Sequence, residues 1–199
     1  METEATGDLN GDGRPDLAFI LLAPDFRGAP PRSSPYDSAG SYANPRMFGI
    51  AFGQAGGGYR LALGNHRFLP PKWAPNGASQ GWMLFGKGSL ELRGGSLRVL
   101  FEYTRGNRIF TFRWRDGRLR LIGFDNAGVD GGCFHGLSVN FLSGRAKSSA
   151  GRIDRERDLV RWTRLKSRAL LTVEQIGNGE DFDPDGLIAR HPLTCGIER

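Results

Sequence analysis

Four short apolar runs between residues 89 and 124 constrain the fold of this 199-residue chain more than any other feature. The first two runs are joined by Gly94-Gly95 and the last two by Asp116-Gly117. Two-residue turns of this kind adopt positive φ at both positions and are a strong signal for hairpins. The pattern predicts four consecutive antiparallel strands. An aromatic stripe lines the core face of the third strand: Phe110, Phe112 and Trp114.

The flanking sequence continues the same pattern. Apolar runs at 47–53 and 59–63 lie on either side of a Gly-rich turn and predict a further hairpin. Residues 134–141 predict another strand, and 151–158 with 159–165 predict a final charged hairpin. Glycine makes up 30 of the 199 residues, about double the ordinary share of roughly 7%. We therefore predict an all-β protein, built as a mainly antiparallel meander sheet or sandwich.

The domain organisation is predicted to be simple. Residues 1–170 form one β domain with an irregular insert at 24–45, which is rich in Pro, Ser and Gly. Long loops of this kind are uncommon in compact domains. A second irregular stretch is expected at 70–77. Residues 171–199 are predicted to be a mostly irregular tail, with one helical turn near Val173.

Residues 8 to 16 place oxygen-bearing side chains at alternate positions before a glycine, which is the pattern of a calcium-binding loop. Calcium takes about six to eight oxygen ligands, and a tight loop supplies them by turning alternate side chains inward. Gly13 permits the sharp reversal because glycine adopts positive φ readily. The predicted calcium ligands are the side chains of Asp8, Asn10 and Asp12, the carbonyl of Arg14, and Asp16 directly or through a water molecule.

The loop differs from an EF-hand. Its twelfth position, where an EF-hand has a bidentate Glu, is Phe19. The apolar run 17–22 is short and ends before Pro24, so it predicts a buried strand rather than a helix. A loop of this form that leads into a strand resembles the calcium-binding loops of FG-GAP and VCBS repeat proteins. The alternative is a solvated Asp-Gly turn that binds no metal.

A wider resemblance covers residues 7 to 145. It rests on the Gly-Asp-Leu-Asn-x-Asp-Gly opening together with the segments 57–62, 110–114, 121–125 and 138–144. These features resemble a group of uncharacterised bacterial proteins that are often exported or lipid-anchored. The resemblance implies a calcium loop, a β fold and a periplasmic or extracellular location, and it implies no activity. The first residues, Met1-Glu2-Thr3-Glu4, lack the basic and apolar regions of a signal peptide, and by themselves they predict a cytoplasmic protein.

The positive charge of the chain is concentrated in residues 145–168. This segment holds nine Lys or Arg and three Asp or Glu, a surplus of six that equals the net charge of +6. The segment is predicted to attract a protein or an anionic polymer, with nucleic acid not expected. The alternative is that these cations cover a solvent face and blunt an edge strand. No apolar run reaches the roughly 20 residues of a membrane span.

Two further clusters carry alternatives that the sequence leaves open. Residues 181–186 repeat the alternating carboxylates of the first loop and are either a second cation site or a polar turn. Cys133 and His135 would share a face of a strand, as a nucleophile and base or as zinc ligands with His66, His191 or Cys195. A disulfide between Cys133 and Cys195 is favoured over both if the protein is exported.

These features lead to a functional hypothesis with two alternatives. We expect a non-catalytic, calcium-stabilised β module that binds a protein or anionic partner rather than an enzyme. The first alternative is a hydrolase acting on a cell-envelope polymer, with its site among Trp73, Trp82, Glu102 and His135. A glycosidase-like carboxylate pair would be Glu91 and Glu102. The second alternative is an immunity-type protein whose partner is a neighbouring gene product.

Overall fold

A computed structural model describes residues 1–23, 41–75, 85–154, 158–167, 169–190 and 195. These residues form thirteen strands, one short helix and one 3-10 turn. The helix α1 spans Val173–Ile176 and the 3-10 turn spans Pro184–Gly186. The strands are β1 (Thr3–Gly7), β2 (Asp16–Leu22), β3 (Ser41–Asn44), β4 (Arg46–Gly53), β5 (Tyr59–Asn65), β6 (Lys72–Pro75), β7 (Leu90–Arg93), β8 (Ser96–Tyr103), β9 (Gly106–Arg115), β10 (Arg118–Asp130), β11 (Cys133–Asn140), β12 (Arg145–Arg152) and β13 (Leu159–Arg164).

The strands form two main sheets and one small one. The first main sheet has the order β1-β2-β4-β5, and the second runs β7 to β13 in strict chain order. The small sheet pairs β3 with β6. Every pairing within these sheets is antiparallel. The prediction of an all-β, mainly antiparallel meander is therefore confirmed.

The predicted two-residue turns direct the meander. Asp116 and Gly117 have φ values of 51° and 71° at the β9–β10 turn, and the Gly94-Gly95 turn likewise has positive φ at both positions. Turns of this hand match the right-handed twist of the strands that they connect. A third such turn, Gly131-Gly132, joins β10 to β11. As a result β10 continues past Phe124, where the sequence predicted its end.

One apolar core lies between the two main sheets. Phe48 of β4 and Phe110 of β9 belong to the same buried cluster. Phe68, in the segment after β5, connects them, with its ring centroid 5.5 Å from that of Phe48 and 5.0 Å from that of Phe110. At one side of the core β1 lies against β7, where Gly7 approaches Leu92.

The structure corrects the predicted final hairpin. Arg145–Arg152 forms β12 and pairs with both β11 and β13, whereas the sequence predicted that 151–158 pairs with 159–165. Residues 155–157 lie outside the described part of the chain. On the core side of β12 only Ala146 and Ala150 are buried. Such small side chains give only a weak apolar alternation, so the sequence pattern did not predict this strand.

Three other strands were not predicted. Ser41–Asn44 lies in the predicted irregular insert 24–45, yet it pairs with Lys72–Pro75 from the predicted irregular stretch 70–77. Each run has only four residues and is next to or ends in proline. Because proline argues against a strand, the sequence pattern did not predict either run as one. The remainder of the insert, 24–40, lies outside the described residues. β1 lacks an apolar alternation and forms by pairing along its length with β2.

Candidate functional site

The acidic loop 8–16 is closed by hydrogen bonds from its own backbone. Asp8 accepts from the N–H of Gly11 at 2.7 Å through Oδ1 and from the N–H of Gly13 at 2.9 Å through Oδ2. Gly11 and Gly13 have φ values of 82° and 80°, a conformation that favours glycine. The glycines therefore let the chain wrap around the Asp8 carboxylate, and the positive φ that was predicted at Gly13 is confirmed.

Asn10 and Asp12 each accept one hydrogen bond from the backbone N–H two residues further along the loop. Asn10 Oδ1 accepts from the N–H of Asp12 at 2.8 Å, and Asp12 Oδ1 accepts from the N–H of Arg14 at 2.9 Å. The bond from the Arg14 N–H is the main cause that lowers the pKa of the Asp12 carboxyl from its usual value. Asp12 is therefore ionised at neutral pH.

Asp16 has a different environment from the other acidic residues of the loop, because it is fully buried. Its Oδ2 accepts from the N–H groups of Leu9 at 2.9 Å and Asn10 at 3.1 Å. Its Oδ1 accepts from the N–H of Gly53 at 3.1 Å, at the end of β4. The Asp16 carboxylate thus fastens the loop to the four-stranded sheet.

The chemistry of the loop oxygens suits a hard cation, but the described residues do not present a finished metal cluster. Within the described ranges, no group of three or more His, Cys, Asp or Glu converges to hold a metal ion. Asp8, Asn10 and Asp12 offer two carboxylates and an amide, and oxygen ligands are those that calcium prefers. The Arg14 guanidinium lies 3.8 Å from Asp12 Oδ2 and already compensates part of the charge.

In the second acidic segment, 181–186, the three carboxylates accept hydrogen bonds from different parts of the chain. Asp181 accepts from the Asn178 side chain at 2.8 Å. Asp183 accepts from the N–H groups of Ile188 at 2.7 Å and Ala189 at 3.0 Å. Asp185 accepts from the N–H of Lys166 at 2.7 Å, directly after β13. These hydrogen bonds organise the tail, and Asp185 attaches it to the basic segment.

The basic segment forms one end of the seven-stranded sheet. β13 is the terminal strand of that sheet, and β12 lies inside it. Paired residues of antiparallel strands share a face, so Arg145 and Arg164 lie together, and so do Lys147 and Trp162. This face is opposite the core, because Ala146 between them is fully buried. The outer face of these two strands therefore carries three cations: Arg145, Lys147 and Arg164.

Trp162 is the centre of this surface. Its side chain is 59% exposed, and the Arg145 guanidinium carbon lies 4.8 Å from the centroid of its ring. In the described part of the chain, Lys147, Arg161 and Arg164 form no ion pair. We call this the basic surface: it consists of Arg145, Lys147, Trp162 and Arg164 on the outer face, together with Arg161, which lies next to Trp162 on the opposite face of β13.

A separate cleft of about 610 Å³ lies where β9 and β11 begin and β10 ends. Tyr103, His135 and Glu180 contribute to its wall. Burial is the main cause that raises the pKa of the Glu180 carboxyl above its usual value, and Asp181 adds to it. Burial also raises the pKa of Tyr103 to about 12, so its hydroxyl remains protonated. Arg108 donates to the carbonyls of Gly179, Glu180 and Phe182 and holds the tail against the cleft.

Among the residues that the structure describes, the predicted enzymatic groups do not come together. Cys133 forms a disulfide with Cys195, with the two Cα atoms 5.6 Å apart, so its sulfur is not a free nucleophile. Glu91 pairs with Arg98 across β7 and β8, at 2.8 Å. Glu102 lies four residues further along β8, which is about 13 Å at roughly 3.3 Å per residue. The backbones at these two positions are therefore farther apart than the roughly 5–10 Å between the carboxyl groups of a glycosidase pair.

The other proposed site residues fall partly outside the description. The side chain of Trp73, all of Trp82 and His191 lie outside the described residues. His66 is exposed, and no described metal cluster includes it. His135 lines the cleft, and so does Glu180, whereas Glu102 is not among the residues that line it.

Sequence reasoning missed two features of these sites. Trp162 was treated as part of a charged hairpin, although a tryptophan between arginines is a recognisable signal of a binding surface. Glu180 lies in a tail predicted to be irregular, and only folding brings it to the cleft. No local signal could have identified it.

No protein-family model matches the chain, and no curated protein or solved structure is significantly similar to it. No helix in the described ranges has the length and apolar character required to cross a membrane. The functional argument therefore depends on the residues themselves.

Proposed function

We propose that this protein is a non-catalytic β module that binds an anionic partner protein through the basic surface. The observation that carries the proposal is the exposed Trp162 surrounded by cations that have no described acidic partner. Long-range attraction brings an acidic partner to such a surface, and a large aromatic side chain then provides apolar contact area. These are the two components of a typical protein-binding site.

The test uses fluorescently labelled poly-L-glutamate as a model of an acidic partner. We expect binding that weakens as salt rises, because surface charges are screened within about 10 Å at 0.1 M salt. Reversal of Arg161 and Arg164 to Glu should reduce the affinity about tenfold or more, which corresponds to roughly 1.4 kcal/mol. The matched control reverses Arg115 and Arg118, an exposed cross-strand pair at the β9–β10 turn.

Two results would contradict this proposal. One is equal loss of binding in the Arg115 and Arg118 control, which would mean that only net charge matters. The other is equal or tighter binding of single-stranded DNA of matched length, which would move the assignment from an acidic protein to a nucleic acid.

We also propose that loop 8–16 binds calcium and stabilises the module. The ligands in this proposal are the side chains of Asp8, Asn10 and Asp12 and the carbonyl of Arg14. Asp16 was predicted as a fifth ligand; its three backbone hydrogen bonds support a role in positioning the loop. Calcium bound to the folded protein alone would raise its stability by mass action.

Calorimetric titration and thermal melts in calcium or chelator test this proposal. We expect near-stoichiometric binding and a higher melting temperature in calcium, both lost in Asp12→Ala. Glu4→Ala, an exposed acidic residue on β1, is the control and should retain both. If the protein binds no calcium at millimolar concentration, the calcium proposal is wrong and the loop is a polar turn.

The proposed location is the periplasm or the cell exterior. The Cys133–Cys195 disulfide supports it, since disulfides persist in oxidising compartments. Thiol alkylation of the protein taken from its native cells should label neither cysteine before reduction. Labelling of both without reduction would favour a reducing compartment.

A hydrolase acting on a cell-envelope polymer is the second candidate, and the cleft supports it. The cleft contains the imidazole of His135 and the carboxyl group of Glu180, and the pKa of Glu180 is raised. Groups of these two kinds serve as acid and base in catalysis. Incubation with peptidoglycan should then release soluble fragments, and Glu180→Gln should abolish the release. No release by the unmodified protein would remove this candidate.

A further inference from the structure

The outer edge of β13 is a row of backbone groups that no described strand pairs with. The N–H of Leu165, directly after β13, donates to the carbonyl of Gly144 at 3.0 Å. Successive residues of a strand direct their N–H and C=O groups to opposite sides. Residues 159, 161 and 163 therefore face β12, whereas Val160, Trp162 and Arg164 face away from it. Within the described residues, these three make no backbone hydrogen bond on that side.

The end of the same row is already occupied by an acidic group. The N–H of Lys166 is the next in the row, and it donates to Asp185 Oδ2 at 2.7 Å. A carboxylate from a distant part of the chain thus docks on this edge. It leaves the adjoining row from Val160 to Arg164 open in the described structure.

The side chains of β13 do not resemble those of a protected edge. Natural edge strands are blunted by charge, proline or bulges, because an open edge recruits other strands. Arg161 and Arg164 supply charge, but the apolar residues between and before them are exposed: Leu159 by 65%, Val160 by 49% and Trp162 by 59%. Simple protection of an edge does not require these three apolar side chains.

The charges of the edge define the complementary strand. β12 and β13 contain five Lys or Arg and no Asp or Glu. On the outer face an added strand would lie beside Trp162 and Arg164, with the cations of β12 one strand further away. On the inner face it would meet Leu159 and Arg161. Acidic and apolar residues on the incoming strand would therefore find partners on both faces.

We propose that β13 is the docking edge for an extended acidic segment of a partner protein, which adds an eighth strand to the seven-stranded sheet. Backbone hydrogen bonds then supply affinity, and alternate side chains supply specificity. This inference rests on the proposed function and specifies how the partner binds. A second copy of this chain fits poorly, since self-pairing would bring the arginines of two β13 strands together.

A pair of synthetic peptides tests the backbone contribution. The first alternates Glu with Val over about ten residues, the length of a long strand. The second has the same sequence but carries N-methyl groups on alternate amides, which removes hydrogen-bond donors and keeps the charge. We expect the first peptide to bind at least tenfold more tightly. Arg161→Glu with Arg164→Glu should abolish binding of the first peptide, and Arg115→Glu with Arg118→Glu should not.

Amide hydrogen exchange of the complex provides a second measurement that needs no variant. The N–H groups of Val160, Trp162 and Arg164 should exchange at least tenfold more slowly when the first peptide is bound. Equal affinities of the two peptides, or unchanged exchange at these amides, would overturn strand addition.

The two proposals fail in different ways. If both peptides and poly-L-glutamate bind equally and with the same salt dependence, the basic surface binds anions but strand addition is wrong. If none of them binds, both proposals are wrong. A concentration-dependent dimer that protects the same three amides without peptide would identify a second copy as the occupant and overturn the acidic partner.

Discussion

At the scale of single residues, Asp16 shows how one buried carboxylate positions a loop. A buried charge is costly unless hydrogen bonds compensate it, and Asp16 accepts three from backbone N–H groups. Two of these groups belong to the acidic loop and the third belongs to Gly53 of β4. The conformation of the loop is thus connected to the four-stranded sheet.

Asp16→Asn is expected to destabilise the protein by about 1–3 kcal/mol. The amide has one acceptor oxygen in place of two, and its NH₂ group faces backbone donors. Urea unfolding measures the effect. Asp130→Asn is the control, because Asp130 is largely exposed, and it should change the stability little. Equal effects of both substitutions would show that the three hydrogen bonds do not hold the loop.

Glu180 illustrates a residue whose ionisation opposes folding. Its pKa is raised by burial first and by Asp181 second, so the folded state disfavours the charged form. The penalty is absent below the unfolded pKa of about 4.3 and is complete only above the folded pKa.

Glu180→Gln should therefore stabilise the protein at pH 7 and have little effect at about pH 3.5, where the unfolded carboxyl is also protonated. Melting temperatures at the two pH values check this. A stabilisation that is the same at both values would mean that charge is not its cause.

At the scale of elements, close packing between strands decides which residues are tolerated. Phe19 of β2 and Gly49 of β4 are cross-strand partners, and the ring of Phe19 covers Gly49. A Cβ atom at Gly49 would lie 2.2 Å from this ring. Gly64 of β5 is the partner of Gly49 on the other side, where a Cβ would meet only Met47 Sδ at 3.8 Å.

These two glycines make a matched pair of substitutions. Gly49→Ala should destabilise the protein by about 1–3 kcal/mol, because overpacking forces the ring or the backbone to move. Gly64→Ala should be neutral or slightly stabilising, since alanine reduces the entropy of the unfolded chain. Chemical denaturation measures both. The reverse order would contradict the packing of Phe19 on Gly49.

Elements also show how far prediction from sequence reaches. The β8–β9–β10 strands were predictable because alternation and two-residue turns are local signals. β12 was not, because the buried side chains on its core face are two alanines, and it is a strand because β11 and β13 pair with it on both sides. The acidic loop was predictable as a turn, whereas the partners of Asp16 come from strands formed at a distance.

At the scale of the whole molecule, Phe68 joins the two main sheets. It lies outside the strands, yet it is fully buried, and its ring contacts Phe48 on one side and three phenylalanines on the other. These three are Phe101, Phe110 and Phe112. Phe68 thus links the buried side chains of one sheet to those of the other.

Phe68→Ala should lower the free energy of unfolding by about 3–5 kcal/mol, the usual cost of removing a buried phenylalanine. Tyr59→Ala removes an exposed aromatic from the neighbouring β5 and should cost far less. Guanidinium unfolding followed by fluorescence and by circular dichroism compares them. Similar losses for both variants would show that Phe68 does not connect the sheets.

The sequence by itself determined the all-β class, the order of the central meander and the reversal of the chain at the acidic loop. Each of these follows from interactions between neighbouring residues: alternation of side chains, positive φ in two-residue turns and hydrogen bonds that Asp8 accepts from nearby amides. Only the tertiary structure decided the partners of Asp16, the pairing of Cys133 with Cys195, the position of Phe68 and the exposure of Trp162 on an open edge. These depend on which distant strands become neighbours, since burial and hydrogen-bond pairing are properties of the assembled sheets.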